Sequence, residues 1–166
     1  MGVSAGCVIN TEGGLGSAQR LCQLAAVPLK ADPKQVLLVE DDLQDVELIR
    51  RAMAECNRLV EVVVSLTGAD ALDYLFRRGS HNGRTSPTPA LVLLDLKMAE
   101  TTGFEVLRQV KADPGLRSVP IVVVTSSVEE IDMVRSYAGG ANSFLVKTID
   151  YRQFVEALKR IVLLWA

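Results

Sequence analysis

The stretch "VLLVEDD", residues 36 to 42, runs four apolar residues straight into three acids. Two carboxylates about 4 Å apart repel by roughly 4 kcal/mol at an effective dielectric of 20. Gathering Glu40, Asp41 and Asp42 at the end of an apolar run therefore calls for a compensating charge. Three more polar residues end apolar runs further along: Asp95 after "ALVLL", Thr125 after "VPIVVV" and Lys147 after "SFLV". If these ends converge, Glu40, Asp41 and Asp95 offer a hard divalent cation its oxygen ligands. Mg2+ suits such a set, because it keeps several waters and uses only one or two carboxylates directly. Asp95 would be both ligand and nucleophile. The metal, Lys147 and the Thr125 hydroxyl would neutralise the oxygens of a phosphoryl group arriving on it.

Convergence depends on the elements that carry these residues. From Gln35 onward, apolar runs alternate with amphipathic segments. Strands are expected at "QVLLV" (35–39), "LVEVVVS" (59–65), "ALVLLD" (90–95), "VPIVVVTSS" (119–127) and "SFLVK" (143–147). Helices are expected at 43–56, where Val46, Ile49, Ala52 and Met53 recur at helical spacing, and at 68–79, ended by Gly79. Three more follow at 103–114, stopped by Pro114, at 129–141 and at 151–165. Runs such as "VLLV", "LVLL" and "IVVV" indicate strands covered on both faces. The pattern predicts a doubly wound α/β domain, with a five-stranded parallel sheet flanked by five helices. In such a sheet, sites form outside the carboxyl ends of the strands, where the acids, Thr125 and Lys147 all fall.

Composition bounds the function. The chain has 166 residues, 49% hydrophobic and 23% charged, which suits one globular domain. A net charge of -2 gives no basic footprint for direct nucleic-acid binding. The sequence has no apolar run long enough for a membrane span. Cys7, Cys22 and Cys56 lack metal-ligand or disulfide spacing and suit a reducing, cytoplasmic setting. The single His81, in a polar loop, supports no histidine metal cluster. Residues 1–33 read as an N-terminal extension, flexible and without an assigned function, ahead of a domain over 34–166. They contain "GGLGS", which lacks the Lys-Ser/Thr of a phosphate-binding loop.

"LLVEDD", "LVLLDLKMAETTGFEVL", "IVVVTSS" and "SFLVK" together resemble the receiver domain of two-component response regulators, over about residues 35–164. The intervals agree: 54 residues from Asp41 to Asp95, 30 to Thr125 and 22 to Lys147. The resemblance implies a flavodoxin-like receiver fold and a regulator that catalyses only its own phosphorylation and dephosphorylation. It implies that Asp95 accepts a phosphoryl group from a sensor histidine kinase, a histidine phosphotransfer protein or a small phosphodonor. Asp41 and the backbone carbonyl of Lys97 would help hold Mg2+, with Glu40 acting mainly through water. Thr125 and Phe144 match the family's switch positions, and Asp42 would be a solvated neighbour of the pocket. The long loop after the second helix, "SYAGGANSFLVK" and the closing helix are similar to single-domain regulators associated with phytochromes, which implies a bacteriophytochrome as one candidate kinase.

Two positions depart from the family pattern. Ala99 stands where a proline is usual, and Thr148 follows Lys147 where the family has a Lys-Pro pair. The second change leaves open a degenerate receiver that binds partners without phosphorylation. A plainer reading makes Glu40 to Asp42 helix caps, but leaves Thr125 and Lys147 without a role. A haloacid-dehalogenase-like phosphatase would need a second acid two residues after Asp95, where Lys97 stands. With no output domain expected after the closing helix, the signal should leave through a surface. Phe154, Leu158 and Ile161 form one core stripe, while Val155, Val162, Leu163 and Trp165 give the helix more apolar surface than that stripe buries. A homodimer is expected through this helix, the fifth strand and the helix carrying Met133 and Tyr137.

Overall fold

A computed structural model of the chain describes residues 33–56, 60–99, 101–126, 140–148 and 150–166. Five strands form one parallel sheet: β1 (Lys34–Val39), β2 (Val60–Ser65), β3 (Leu91–Leu94), β4 (Ile121–Thr125) and β5 (Ser143–Val146). Their spatial order is β2-β1-β3-β4-β5. The helices are α1 (Leu43–Ala54), α2 (Gly68–Phe76), α3 (Gly103–Ala112) and α4 (Tyr151–Trp165). The helix expected at 129–141, with Met133 and Tyr137, lies outside the described residues, apart from Gly140 and Ala141, which are not helical.

Strand alternation divides the core in two. Val36, Leu38, Leu91, Leu93, Val122 and Val124 face α1 and α4, whereas Leu37, Val39, Val92, Leu94, Ile121 and Val123 face α2 and α3. Successive strand residues point to opposite faces, so a central strand covered on both sides must be apolar throughout. The register pairs Val39 with Ser65 and with Leu94, Leu94 with Val123, and Thr125 with Val146. All five carboxyl ends therefore reach one edge of the sheet.

The element ends differ from expectation in places with local causes. The second helix stops at Phe76, not Gly79: Arg77 is left-handed (φ 54°), and its amide bonds back to the helix as the C-cap. Gly79 (φ 55°) instead opens a 3-10 turn at Gly79–His81. α3 ends at Ala112, because its C-cap Asp113 precedes Pro114 and takes the extended conformation that proline imposes on the residue before it. His81 is half-buried. Its Nε2 lies 2.8 Å from Asp70 and its ring meets Tyr74 edge-on.

Residues 151–165 are helical as expected, but Val155 and Val162 are buried in the sheet-facing core beside Phe154, Leu158 and Ile161. Trp165 packs partly against the same cluster. The apolar surplus on the described part of this helix reduces to Leu163 and Leu164, 60% and 71% exposed. The buried stripe is wider than three residues, because α4 lies along the sheet and turns more than one row of side chains onto it.

Candidate functional site

The carboxyl edge of the sheet is built by backbone pairing. The Glu40 amide donates to the Ser65 carbonyl at 3.1 Å, the Asp95 amide to Val39 at 2.9 Å, and the Lys147 amide to Thr125 at 2.7 Å. These three bonds hold four sequence-distant residues at fixed heights. Gly103, at the start of α3, approaches Asp95 so closely that a Cβ there would collide with the Asp95 carbonyl oxygen. A glycine at this point lets the helix sit against the strand end that carries the central acid.

Carboxylate oxygens of Glu40, Asp41 and Asp95 lie within 4.8 Å of one another. Glu40 is 1% exposed and Asp95 5%, while Asp41 opens to solvent. Lys147, with a side chain 10% exposed, points its ammonium into the group. It lies 2.8 Å from Glu40 Oε2 and 3.5 Å from Asp95 Oδ1. A third acid, Asp45 in the first turn of α1, accepts from the same ammonium at 2.7 Å. Thr125 is fully buried at the end of β4. Lys97 is exposed, in a loop pinned on either side by buried Leu96 and Met98. Phe144 is half-buried on the other face of the sheet, packed against the cluster under α2 and α3.

Electrostatics follow from acids outnumbering cations. Burial pushes the Glu40 carboxyl up to about 7, with Asp95 adding to the effect and Lys147 opposing it. Burial also raises Asp95, again against Lys147. Burial works against the charge on Lys147, but its bonds to Asp45 and Glu40 prevail and push it up to about 12. Lys147 is thus a fixed cation. The site's chemistry suits a hard divalent ion: its donors are carboxylate oxygens, their negative charge exceeds the one ammonium, and one side is open. Among the described residues this is the one acidic or thiol-imidazole group with such geometry.

Glu40, Asp41, Asp95 and Lys147 therefore meet as the sequence indicates, and Thr125 occupies the same edge. Asp42 has a structural role. Its side chain is the N-cap of α1, accepting from the amides of Gln44 and Asp45. Sequence reasoning missed two features. Asp45 reads as an ordinary acid in a first helical turn, and only the fold reveals its contact with Lys147. Ala99, in place of the usual proline, has an amide, which donates to Asp41 Oδ2 at 3.0 Å. Thr148 leaves Lys147 in the pocket, and its hydroxyl donates to the Asp150 carbonyl just ahead of α4.

This sheet order, with an acidic carboxyl edge and a lysine from the last strand, defines a receiver, and the chain belongs to the response regulator receiver domain family, which its residues 36–159 match. Among known relatives, it is 37% identical to the probable methanogenesis regulatory protein FilR2 of Methanothrix harundinacea over 81% of this chain and 86% of that one. It is similar in structure to the bacteriophytochrome response regulator RtBRR, with 46% identity and a TM-score of 0.72 over 81% of each chain. It also resembles the Mn2+-bound form of response regulator Rcp1, with 32% identity and a TM-score of 0.70 over 80% of this chain and 94% of that one. Rcp1 is a protein of Synechocystis sp.. No helix among the described residues is long and apolar enough to cross a membrane.

Proposed function

We propose that this receiver accepts a phosphoryl group on Asp95 in a Mg2+-dependent reaction, from a histidine kinase or histidine phosphotransfer protein. The similarity to a bacteriophytochrome regulator favours a bacteriophytochrome as the kinase. The observation that carries the reading is the meeting of Glu40, Asp41, Asp95 and Lys147 at one buried edge. Mg2+ would be held by Asp41, Asp95 and the Lys97 carbonyl, with Glu40 acting through water, and would neutralise charge on the phosphoryl oxygens.

The rest falls to side chains of this chain. A carboxylate oxygen of Asp95 attacks phosphorus, the phosphorus–nitrogen bond of the donor phosphohistidine breaks, and its electron pair leaves on the imidazole, giving an acyl phosphate. The Lys147 ammonium, already beside Asp95, balances the added negative charge. The Thr125 hydroxyl bonds a phosphoryl oxygen, and Phe144 follows the threonine inward. That movement shifts a pre-existing equilibrium of the surface of β5 and α4, through which a homodimer forms.

Acetyl phosphate and Mg2+, followed by intact-mass measurement, test the reading. The chain should gain one phosphoryl mass, and neither Asp95→Asn nor a sample with chelator should gain any. Undiminished labelling of Asp95→Asn overturns the assignment, and an unlabelled wild-type chain points to the degenerate receiver. Light scattering with and without phosphodonor reads the dimer, and a monomer under both conditions at tens of micromolar refutes it.

A further inference from the structure

The Lys147 ammonium has three N–H donors and three acidic neighbours, which it does not treat alike. Glu40 and Asp45 take bonds of 2.8 and 2.7 Å, whereas Asp95 stands at 3.5 Å. Asp45 lies outside the group of mutually close acids, on a different element from the other two. Its amide is drawn to the Asp42 cap at 3.4 Å, so its carboxylate stands on an ordered first turn. The lysine backbone is tied to Thr125, so the ammonium is stretched between two fixed points. Asp45 is also the most solvated of the three partners, at 32% side-chain exposure against 1% for Glu40 and 7% for Asp95. It is the outermost anchor.

A lysine drawn wholly onto Glu40 and Asp95 would compete with a divalent cation for the same oxygens. It would also tie up the attacking oxygen of Asp95 in a direct ion pair. An anchor on the far side keeps the ammonium 3.5 Å from Asp95, longer than a charge-assisted hydrogen bond, while Glu40 stays bonded to it.

We propose that Asp45 is a positioning residue that holds the Lys147 ammonium off Asp95 and so leaves Asp95 free for a divalent cation. The proposal rests on the reading of this edge as a Mg2+-dependent phosphoacceptor site. Partners that orient a metal's ligands typically change its affinity by about 10- to 100-fold when removed. Asp45→Asn should therefore bind Mg2+ about tenfold more weakly in calorimetric titration of the full chain without phosphodonor. Asp45→Glu, which keeps a carboxylate within reach, should restore most of the loss.

A double-mutant cycle with Lys147→Met separates positioning from simple charge. If Asp45 acts through the lysine, Asp45→Asn should change Mg2+ affinity by no more than about threefold in the Lys147→Met background. An equal loss in both backgrounds overturns the proposal, as does wild-type affinity in Asp45→Asn with a native circular-dichroism spectrum. Wild-type chain that binds Mg2+ but takes no phosphoryl group from acetyl phosphate overturns the proposed function alone, and the cycle still decides the role of Asp45. Wild-type chain that binds no Mg2+ overturns both.

Discussion

Replacing Glu40 by glutamine should make the domain more stable at neutral pH in the absence of divalent ions. Glu40 is 1% exposed, and it shares one ammonium with Asp45 and Asp95. Its carboxyl therefore holds its proton up to about pH 7, whereas the unfolded chain releases it near 4.5. Between those values the folded state binds more protons than the unfolded state, so stability falls as pH rises. The contribution is fully present below 4.5 and is gone above about 7. The gap corresponds to roughly 3 kcal/mol. Glutamine has nearly the same shape and no charge to lose, and Lys147 keeps Asp45 and Asp95 as partners. Urea denaturation in chelator should show the variant gaining on wild type by about 2–3 kcal/mol between pH 5 and pH 8. Saturating Mg2+ should narrow the gap, because a ligand that binds only the folded state stabilises whichever form binds it better. A difference that stays flat across this range refutes the argument that burial and excess acid charge dominate at Glu40.

Three other perturbations probe the frame around the site. Gly103→Ala places a methyl group against the Asp95 carbonyl oxygen; it should cost about 1–3 kcal/mol in a denaturant melt and lower the acetyl phosphate labelling rate. Asp42→Ala removes the α1 N-cap, for a loss of about 1 kcal/mol in the same melt, with labelling of Asp95 retained. Ala99→Pro deletes the amide that bonds Asp41. If that bond orients a metal ligand, Mg2+ titration should show weaker binding, and unchanged affinity would show that Asp41 needs no such support.

Much of the fold was legible because its physics is local. A strand covered on both faces must be apolar at every position, so "VLLV", "LVLL" and "IVVV" announce a parallel sheet in the one-dimensional sequence. A polar residue at the end of such a run then falls at the carboxyl edge. That is why Glu40, Asp41, Asp95, Thr125 and Lys147 could be gathered before any coordinates. Helix periodicity located α1, α3 and α4 to within two residues of their observed ends.

What the tertiary structure alone decided depends on contacts between residues distant in the chain. Lys147 and Asp45 are 102 positions apart, and nothing in a first-turn aspartate signals that a lysine will reach it. Gln35 is buried within β1 only because Tyr74 of α2 donates to its side-chain oxygen and Glu61 of β2 accepts from its nitrogen. Val155 and Val162 belong to the core because of how α4 lies on the sheet, a matter of docking that periodicity does not contain. The sequence determined which residues reach the carboxyl edge of the sheet. The docking of α1 and of the 95–99 loop, through Asp45 and Ala99, decided how those residues are held there, because a hydrogen bond forms between atoms brought within 3 Å and not between neighbours in sequence.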